Sequence, residues 1–412
     1  MYHRVGNSIS PIMANYTNYR SLITIAALAA IVTSLYFLLQ PGQKEAILTQ
    51  PKTNQTIVIT KGGTYSGNWA SYDSEIPAVD IQTSEPVIIE NSIVRGAGYL
   101  IKSWGYACNL TVRNTEGFGL PPTPWKEYTK PRYFVTADVF KNVVVENCYL
   151  ENTAGINVSV EYLGNGSENE TIKILYNKVK NIDGRIYDSV VTVNFVGLNF
   201  RNPIRHAEIA WNEVINEPDN SIVEDNINIY NTRGTPDSPI RIHNNYIQGA
   251  YPLPATATDY SGGGIISDSP KTDSTKSTAY LEIYRNQLVG LGNYCIGVAS
   301  GNNIKVYDNT AIVAGVFENG KRYPFWTSGI WVKDLYKMKS TYNVEVQNNT
   351  LAVVGHNGGW RNEFLDSLKV KDQRSLNHFI KGEVTKSLEK EEYRAWQQKL
   401  RQKAIRPGPA KG

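Results

Sequence analysis

Cysteine is nearly absent from this chain of 412 residues, with Cys108, Cys148 and Cys295 its whole complement. Three thiols cannot all pair, and none stands in a Cys/His cluster with zinc spacing. A disulfide scaffold and a structural zinc site are therefore excluded as organising principles. Buried free thiols are the expected state. Excess charge of one sign is equally scarce: 42 basic residues against 38 acidic ones leave a net charge of +4. That balance excludes a global electrostatic signature for nucleic acid and leaves any polyanion to be held by local patches.

Residues 21 to 39, Ser-Leu-Ile-Thr-Ile-Ala-Ala-Leu-Ala-Ala-Ile-Val-Thr-Ser-Leu-Tyr-Phe-Leu-Leu, carry no charge at all and would span about 28 Å as a helix, close to a bilayer core. Arg4 and Arg20 precede the run without an acidic residue among the first twenty, so the amino end is expected to stay cytoplasmic (1–20) and the rest to cross the membrane. The segment reads as an uncleaved signal anchor followed by a linker, residues 40 to 53. A cleaved signal peptide is the rival reading. Sequons at Asn54, Asn109, Asn157, Asn165, Asn169 and Asn348 fit an exported domain.

What is abundant is a repeat. Nine segments share an apolar-x-apolar-x-x pattern ending on a polar residue: Ser92, Thr115, Cys148, Asn177, Asn212, Asn245, Asn286, Asn309 and Asn349. Strand alternation turns these residues inward, where Asn amides, which both donate and accept, can bond to one another along a stack. Four residues earlier stand Ile88, Thr111, Val144, Lys173, Glu208, Arg241, Glu282, Lys305 and Glu345. The last of these, from Lys173 to Glu345, alternate in sign without a break, as neighbours about 4.8 Å apart on successive parallel strands should. The spacing between reference residues varies from 23 to 41. A fixed-period solenoid does not tolerate that; a β-helix with corner loops of varying length does.

These residues resemble the right-handed parallel β-helix of the pectate-lyase-like superfamily, with its Asn-rich coil repeats. The resemblance covers about residues 54 to 355 and implies an all-β, single-stranded parallel β-helix of about nine or more coils, with the domain bounded at residues 54 to 357. Such folds host lyases, hydrolases, epimerases, tailspikes and adhesins, so fold alone does not choose a reaction. The expected function is that of an exported, membrane-anchored protein acting on an acidic polysaccharide by lyase-type β-elimination. A non-catalytic carbohydrate-binding or adhesive surface protein is the alternative, and no nucleic-acid partner is expected.

Each coil carries a second strand with inward pairs Ile156/Val158, Val191/Val193, Ile227/Ile229, Ile265/Ser267, Ile296/Val298 and Ile330/Val332. The residues between them form two outward columns. One runs Asn157, Thr192, Asn228, Ile266, Gly297, Trp331; the other runs Glu161, Asn194, Tyr230, Asp268, Ala299, Lys333, with Lys102 a backward extension. The second column mixes side chains that bind sugars or move protons. Long connections at residues 248 to 263 and 269 to 278 are placed to wall a groove beside its middle. Elimination needs a cation or metal at the uronate carboxylate, a base for the C5 proton and an acid for the leaving oxygen. Tyr230, Arg233 and Lys333 are the catalytic candidates, Arg233 facing the carboxylate and Tyr230 or Lys333 moving protons. Asn194, Asn228 and Trp331 are the substrate-binding candidates. Asp225 and Asp268 are the candidate metal ligands, with Ca2+ the cofactor whose oxygen chemistry they match. The equally weighted alternative makes Glu224 and Asp225 turn caps paired with Arg233 at the surface.

Family catalytic motifs are not matched. Arg201-Asn-Pro-Ile-Arg205 is one residue short of the Arg-x-Pro-x-x-Arg of pectate lyases. Arg241-Ile-His243 resembles the Arg-Ile-Lys of polygalacturonases, but the Gly-His-Gly and paired-Asp segments that accompany it there are missing. Arg201, Arg205 and His206 form a basic corner. Trp69, Trp104, Trp125, Trp326 and Trp331 are assigned to connections or outward positions, where exposed rings offer faces to sugars. Residues 358 to 412 read as a cap followed by a charged helical tail, with Val384, Leu388, Trp396 and Leu400 on one stripe.

Overall fold

The computed structural model describes residues 54–120, 128–271, 273–371 and 376–410. The predicted cytoplasmic segment, anchor and linker, together with Trp125, lie outside these residues. Among the described residues no helix is long and apolar enough to cross a membrane. Residues 53 to 412 form one compact unit, and its strands pair in parallel with the coil before and the coil after.

The predicted register holds across the stack. Ile88 pairs with Thr111, Thr111 with Val144 and Val144 with Lys173. Lys173 then pairs with Glu208, Glu208 with Arg241, Arg241 with Glu282, Glu282 with Lys305 and Lys305 with Glu345. Arg241 reaches Glu208 at 3.3 Å and Lys305 reaches Glu282 at 3.4 Å, so the exterior charges form a ladder of exposed, individually weak pairs. The next outward column is aromatic. His243 stacks on Tyr284 at 4.6 Å and Tyr284 on Tyr307 at 4.9 Å between ring centroids.

Inside, the asparagines form one continuous chain of amides. From Asn177 through Asn212, Asn245, Asn286, Asn309 and Asn349, each side-chain Nδ2 donates to the next Oδ1 at 2.8 to 3.0 Å. Each backbone N–H donates to the same oxygen at 3.0 to 3.1 Å. The residue before every rung, from Asn91 to Asn348, has φ between 46° and 59°. This left-handed turn swings the amide inward, and Asn and Asp supply it most readily. Thr115 and Cys148 instead bond back to the carbonyl two residues earlier. The last acceptor is Asn377, on the strand Leu376–Phe379. The coils thus continue past residue 357, because Glu363–Leu365 and Leu376–Phe379 each add a parallel strand.

The inward pairs of the second strands follow the expected register with one exception. Where Val191 and Val193 were expected to point inward, the strand is Val196–Arg201, with Val196, Leu198 and Phe200 buried. The segment from Val191 to Asn194 is the corner that precedes the strand, and Val193, also buried, joins the core from there. Consequently Gly197, not Thr192, pairs with Asn157 and Asn228. Lys102 joins that first column through Thr136 and pairs with Asp80 at 3.6 Å. Glu161 lies past a bulge at Val160 (φ 65°) and pairs with Arg201. Trp69 is a core residue paired with Val94 rather than a surface ring. All three cysteines are buried and free.

The C-terminal helix, Lys386–Lys403, packs back along the solenoid. Thr385 caps it, and Ala404 ends it with φ 52°. Its 18 residues span about 27 Å, the height of between five and six coils. Val384 and Leu388 pack near Ile312 and Ala352, whereas Trp396 and Leu400 pack on Tyr246 and Val289. The indole of Trp396 donates to Glu213 at 2.9 Å, and Gly408 N donates to Tyr176 O at 2.7 Å. The helix is a strap over successive coils. Trp396→Ala is expected to cost about 3 to 5 kcal/mol, the range for emptying a buried aromatic site, read as a lowered urea midpoint.

Candidate active site

An open groove of about 500 Å³ lies over the second-strand sheet, where the chain runs through Asp225–Tyr230, Gly263–Asp268, Ile296–Val298 and Ile330–Val332. Six of the eight predicted site residues line it: Asn194, Asp225, Asn228, Tyr230, Asp268 and Trp331. Tyr230 pairs directly with Asp268, and Gly297 with Trp331. A Cβ at Gly297 would stand 2.7 Å from the Trp331 ring, so the absent side chain is the seat on which the indole lies. Asn194 has left the strand column, but it returns to the groove from the corner and donates from Nδ2 to the backbone oxygen of Asp225 at 2.8 Å.

Asp225 is the centre of the arrangement. It opens its strand with only 3% of its surface exposed, and so is not the surface turn cap of the alternative reading. The Tyr294 hydroxyl donates to Oδ1, and Asn228 Nδ2 donates to Oδ2 at 3.1 Å. Burial pushes the Asp225 carboxyl up to about 7; the charges of Glu224 and Asp268 add to the rise, and the bonds from Tyr294 and Asn228 oppose it. Tyr294 reaches this position because Gly263 has no Cβ, which would sit 2.6 Å from the ring.

Asp268 is less buried and differently held. Burial raises its carboxyl above the usual range, opposed by a bond from the Tyr336 hydroxyl. Its Oδ1 is buried without a hydrogen-bond partner, as is Oδ1 of Asn228. Burial and the charge of Asp268 raise the Tyr230 phenol, so it stays protonated at neutral pH and acts as a hydrogen-bond donor.

Two predicted residues lie elsewhere. Lys333 follows its strand but is exposed and outside the groove lining, because the chain turns away at Asp334. Arg233 lies in an adjoining trough of about 650 Å³ that also holds Arg201, Lys271 and Lys276; Asn199 lines both compartments. Arg233 donates to Ser274 O at 3.1 Å and lies over the Tyr280 ring. The basic corner is largely paired, Arg205 with Asp237 at 2.7 Å and Arg201 with Glu161 at 3.6 Å.

Sequence reasoning missed Tyr294 and Tyr336. Both stand in connections between strands, outside any column, and the available signal was a tyrosine immediately flanking a second strand or its following loop.

The fold and groove define the class, a parallel β-helix with an open, acid-lined groove on one sheet. No protein-family model matches the chain, and no curated protein matches it in sequence. Among solved structures, it is similar to a mannuronic acid specific polysaccharide family 6 lyase from human gut microbiota, at 11% identity and a TM-score of 0.37, covering 84% of this chain and 92% of that one. At that level the chemistry has to be read from the groove itself.

Proposed function

We propose that this protein is an exported enzyme, tethered by residues 21 to 39, that cuts the chain of an acidic polysaccharide in the groove by β-elimination. The observation that carries the reading is Asp225, a carboxyl held near neutrality at the floor of an open groove beside Asp268, whose Oδ1 has no partner. Two acids in unlike environments are suited to opposite proton-transfer roles. In this reading Asp225 is the acid that protonates the leaving O4, and Asp268 is the base that takes the C5 proton, so that C4–O4 breaks as C4=C5 forms. Tyr230 and Asn228 orient sugar hydroxyls, and Trp331 offers its face to a ring.

The C5 proton is acidic enough only if the neighbouring carboxylate is neutralised, and the central compartment holds Glu224, Asp225 and Asp268 without a lining cation. Arg233 is the cationic candidate, from the adjoining trough. Ca2+ is the other, and Asp268 Oδ1 and the Asp225 carboxylate are the oxygens that would hold it, in which case they would no longer serve as the base and the acid. Among the described residues no group of three metal-ligating side chains is present, so substrate and water would supply the rest of its six to eight ligands. The unequal carboxyl pair also favours hydrolysis, in which the same acid and base flank the scissile bond and the base activates water.

The test is to incubate the purified protein with pectate, alginate and glycosaminoglycans, with and without calcium, reading unsaturated uronate and reducing ends. Elimination produces both signals; hydrolysis produces reducing ends alone. Glycan binding without either product, lost in Trp331→Ala and kept in Asp225→Asn, would establish the non-catalytic binding role instead.

A further inference from the structure

The groove is not electrically uniform along its length. Upstream of the strands it continues into a third compartment of about 410 Å³, which shares Thr192, Glu224 and Ser261 with the central one. Its walls include Val190, Val191, Pro252 and Leu253; its only charged lining residues are Glu224 and Asp259. Downstream lies the trough of Arg201, Arg233, Lys271 and Lys276, which contains no lining acid. Arg201 and Lys276 have carboxylate partners at 3.6 and 3.4 Å. Arg233 and Lys271 have none among the described residues, Arg233 being held by Ser274 O and the Tyr280 ring, so neither charge is neutralised by a carboxylate.

The three compartments follow the strand direction. Residues 190 to 192 and 222 to 224 precede the strands Val196–Arg201 and Asp225–Tyr230, Arg201 ends the first of them, and Asn202, Pro203, Asn231 and Arg233 follow them. A strand of six residues is about 20 Å long, so an occupant reaching both ends is a run of several sugars. Its carboxylates are attracted at the downstream end. At the upstream end they meet Glu224, Asp259 and apolar walls without a cation, where an anion is repelled and its desolvation is uncompensated.

We propose that the groove selects by charge polarity. It takes a heteropolysaccharide segment with uronates over Arg233 and Lys271 and an uncharged, apolar-substituted sugar, such as an esterified or acylated one, over Val191 and Leu253. The inference rests on the reading of the groove as a glycan-cleaving site, and it fixes the direction in which the chain lies as well as the substrate class.

The test measures affinity, so that it stands apart from turnover. Hexamers of galacturonate and of mannuronate are compared as free acids, as full methyl esters and as hexamers esterified on one half only, by calorimetry on the full-length protein. The half-esterified form is expected to bind about tenfold more tightly than either uniform form at low salt. Arg233→Ala with Lys271→Ala should remove that advantage, and Leu253→Lys should raise affinity for the free acid. Equal binding of all three forms, no binding of any, or a free acid indifferent to Leu253→Lys overturns the polarity. Absence of products with the expected affinity order intact overturns the cleavage reading alone.

Discussion

Asp225→Asn is expected to lower turnover by about two to four orders of magnitude, the usual worth of a positioned general acid, while making the fold more stable above neutral pH. The two effects share one cause. The Asp225 carboxyl is raised from 3.8 to about 7 by burial, so the folded protein holds a proton that the unfolded chain has released. Below about pH 4 both states are protonated and the group contributes no difference. As pH rises towards 7 the unfolded state gains the advantage of ionising in water, and native stability falls by up to about 4 kcal/mol before levelling off. An amide at this position cannot ionise, so the stability difference between variant and wild type should open across that window and plateau above it. Activity shows the complementary sign: with Asp225 as the acid, kcat/KM falls as pH rises through about 7, and that limb disappears in the variant. Urea midpoints and rate profiles from pH 4 to 9 measure both. A variant that keeps its alkaline limb would falsify the assignment of Asp225 as the proton donor.

The sequence made the coil legible because the features that define it are periodic. The apolar spacing recurs in all nine copies, and Asn at the inward turn and the alternating charge four residues earlier recur together in the six from Asn177 to Asn349, so the copies reinforce a register that no single one could establish. The failure at Val191 and Val193 shows the limit. Val196, Leu198 and Phe200 offer an equally apolar alternation five residues on, and only the neighbouring coils, through Gly197 between Asn157 and Asn228, choose between them. The groove was partly legible for the same reason: Tyr230, Asp268 and Trp331 are column residues, placed by register. Lys333 shared that reasoning and failed because its strand, Ile330–Val332, ends one residue too soon. Tyr294 and Tyr336 were beyond reach, since loop residues acquire their positions from packing rather than from period. Asp225 was named by residue type, as a metal ligand, but its burial follows from the absence of a side chain at Gly263 and the Tyr294 ring that fills the space.

Within the stack, Asn245→Ala should be the most damaging small substitution, and its cost can be built up from individual bonds. Asn245 Oδ1 accepts from the backbone N–H of Asn212 at 3.1 Å and from its Nδ2 at 2.9 Å. Removing the amide leaves the Asn212 backbone N–H and one of the two Nδ2 hydrogens unsatisfied, the other keeping Ile174 O, in a site with no measurable exposure. Each unsatisfied buried group costs about 1 to 3 kcal/mol, so about 2 to 6 kcal/mol in total. The groups on the other side suffer less, because Asn286 Oδ1 keeps its bond from the Asn245 backbone N–H. Asn245→Ser should be milder: Ser92 accepts a backbone N–H from the preceding coil at 3.0 Å, so a hydroxyl can replace part of the amide. Asn245→Asp should be worse than serine, because it places a carboxyl among buried amides and removes the donor to Ile209 O. Arg241→Ala, on the exterior ladder of the same coil, should cost less than about 1 kcal/mol, since that pair is exposed. The order Asp and Ala, then Ser, then Arg241→Ala should appear in urea midpoints. Hydrogen exchange should place the loosening in the coils of Asn212 and Asn245 rather than along the whole stack, because a solenoid couples each repeat chiefly to its neighbours. Uniform loosening from end to end, or a cost for Arg241→Ala matching that of Asn245→Ala, would show that the amide chain is not what holds the coils in register.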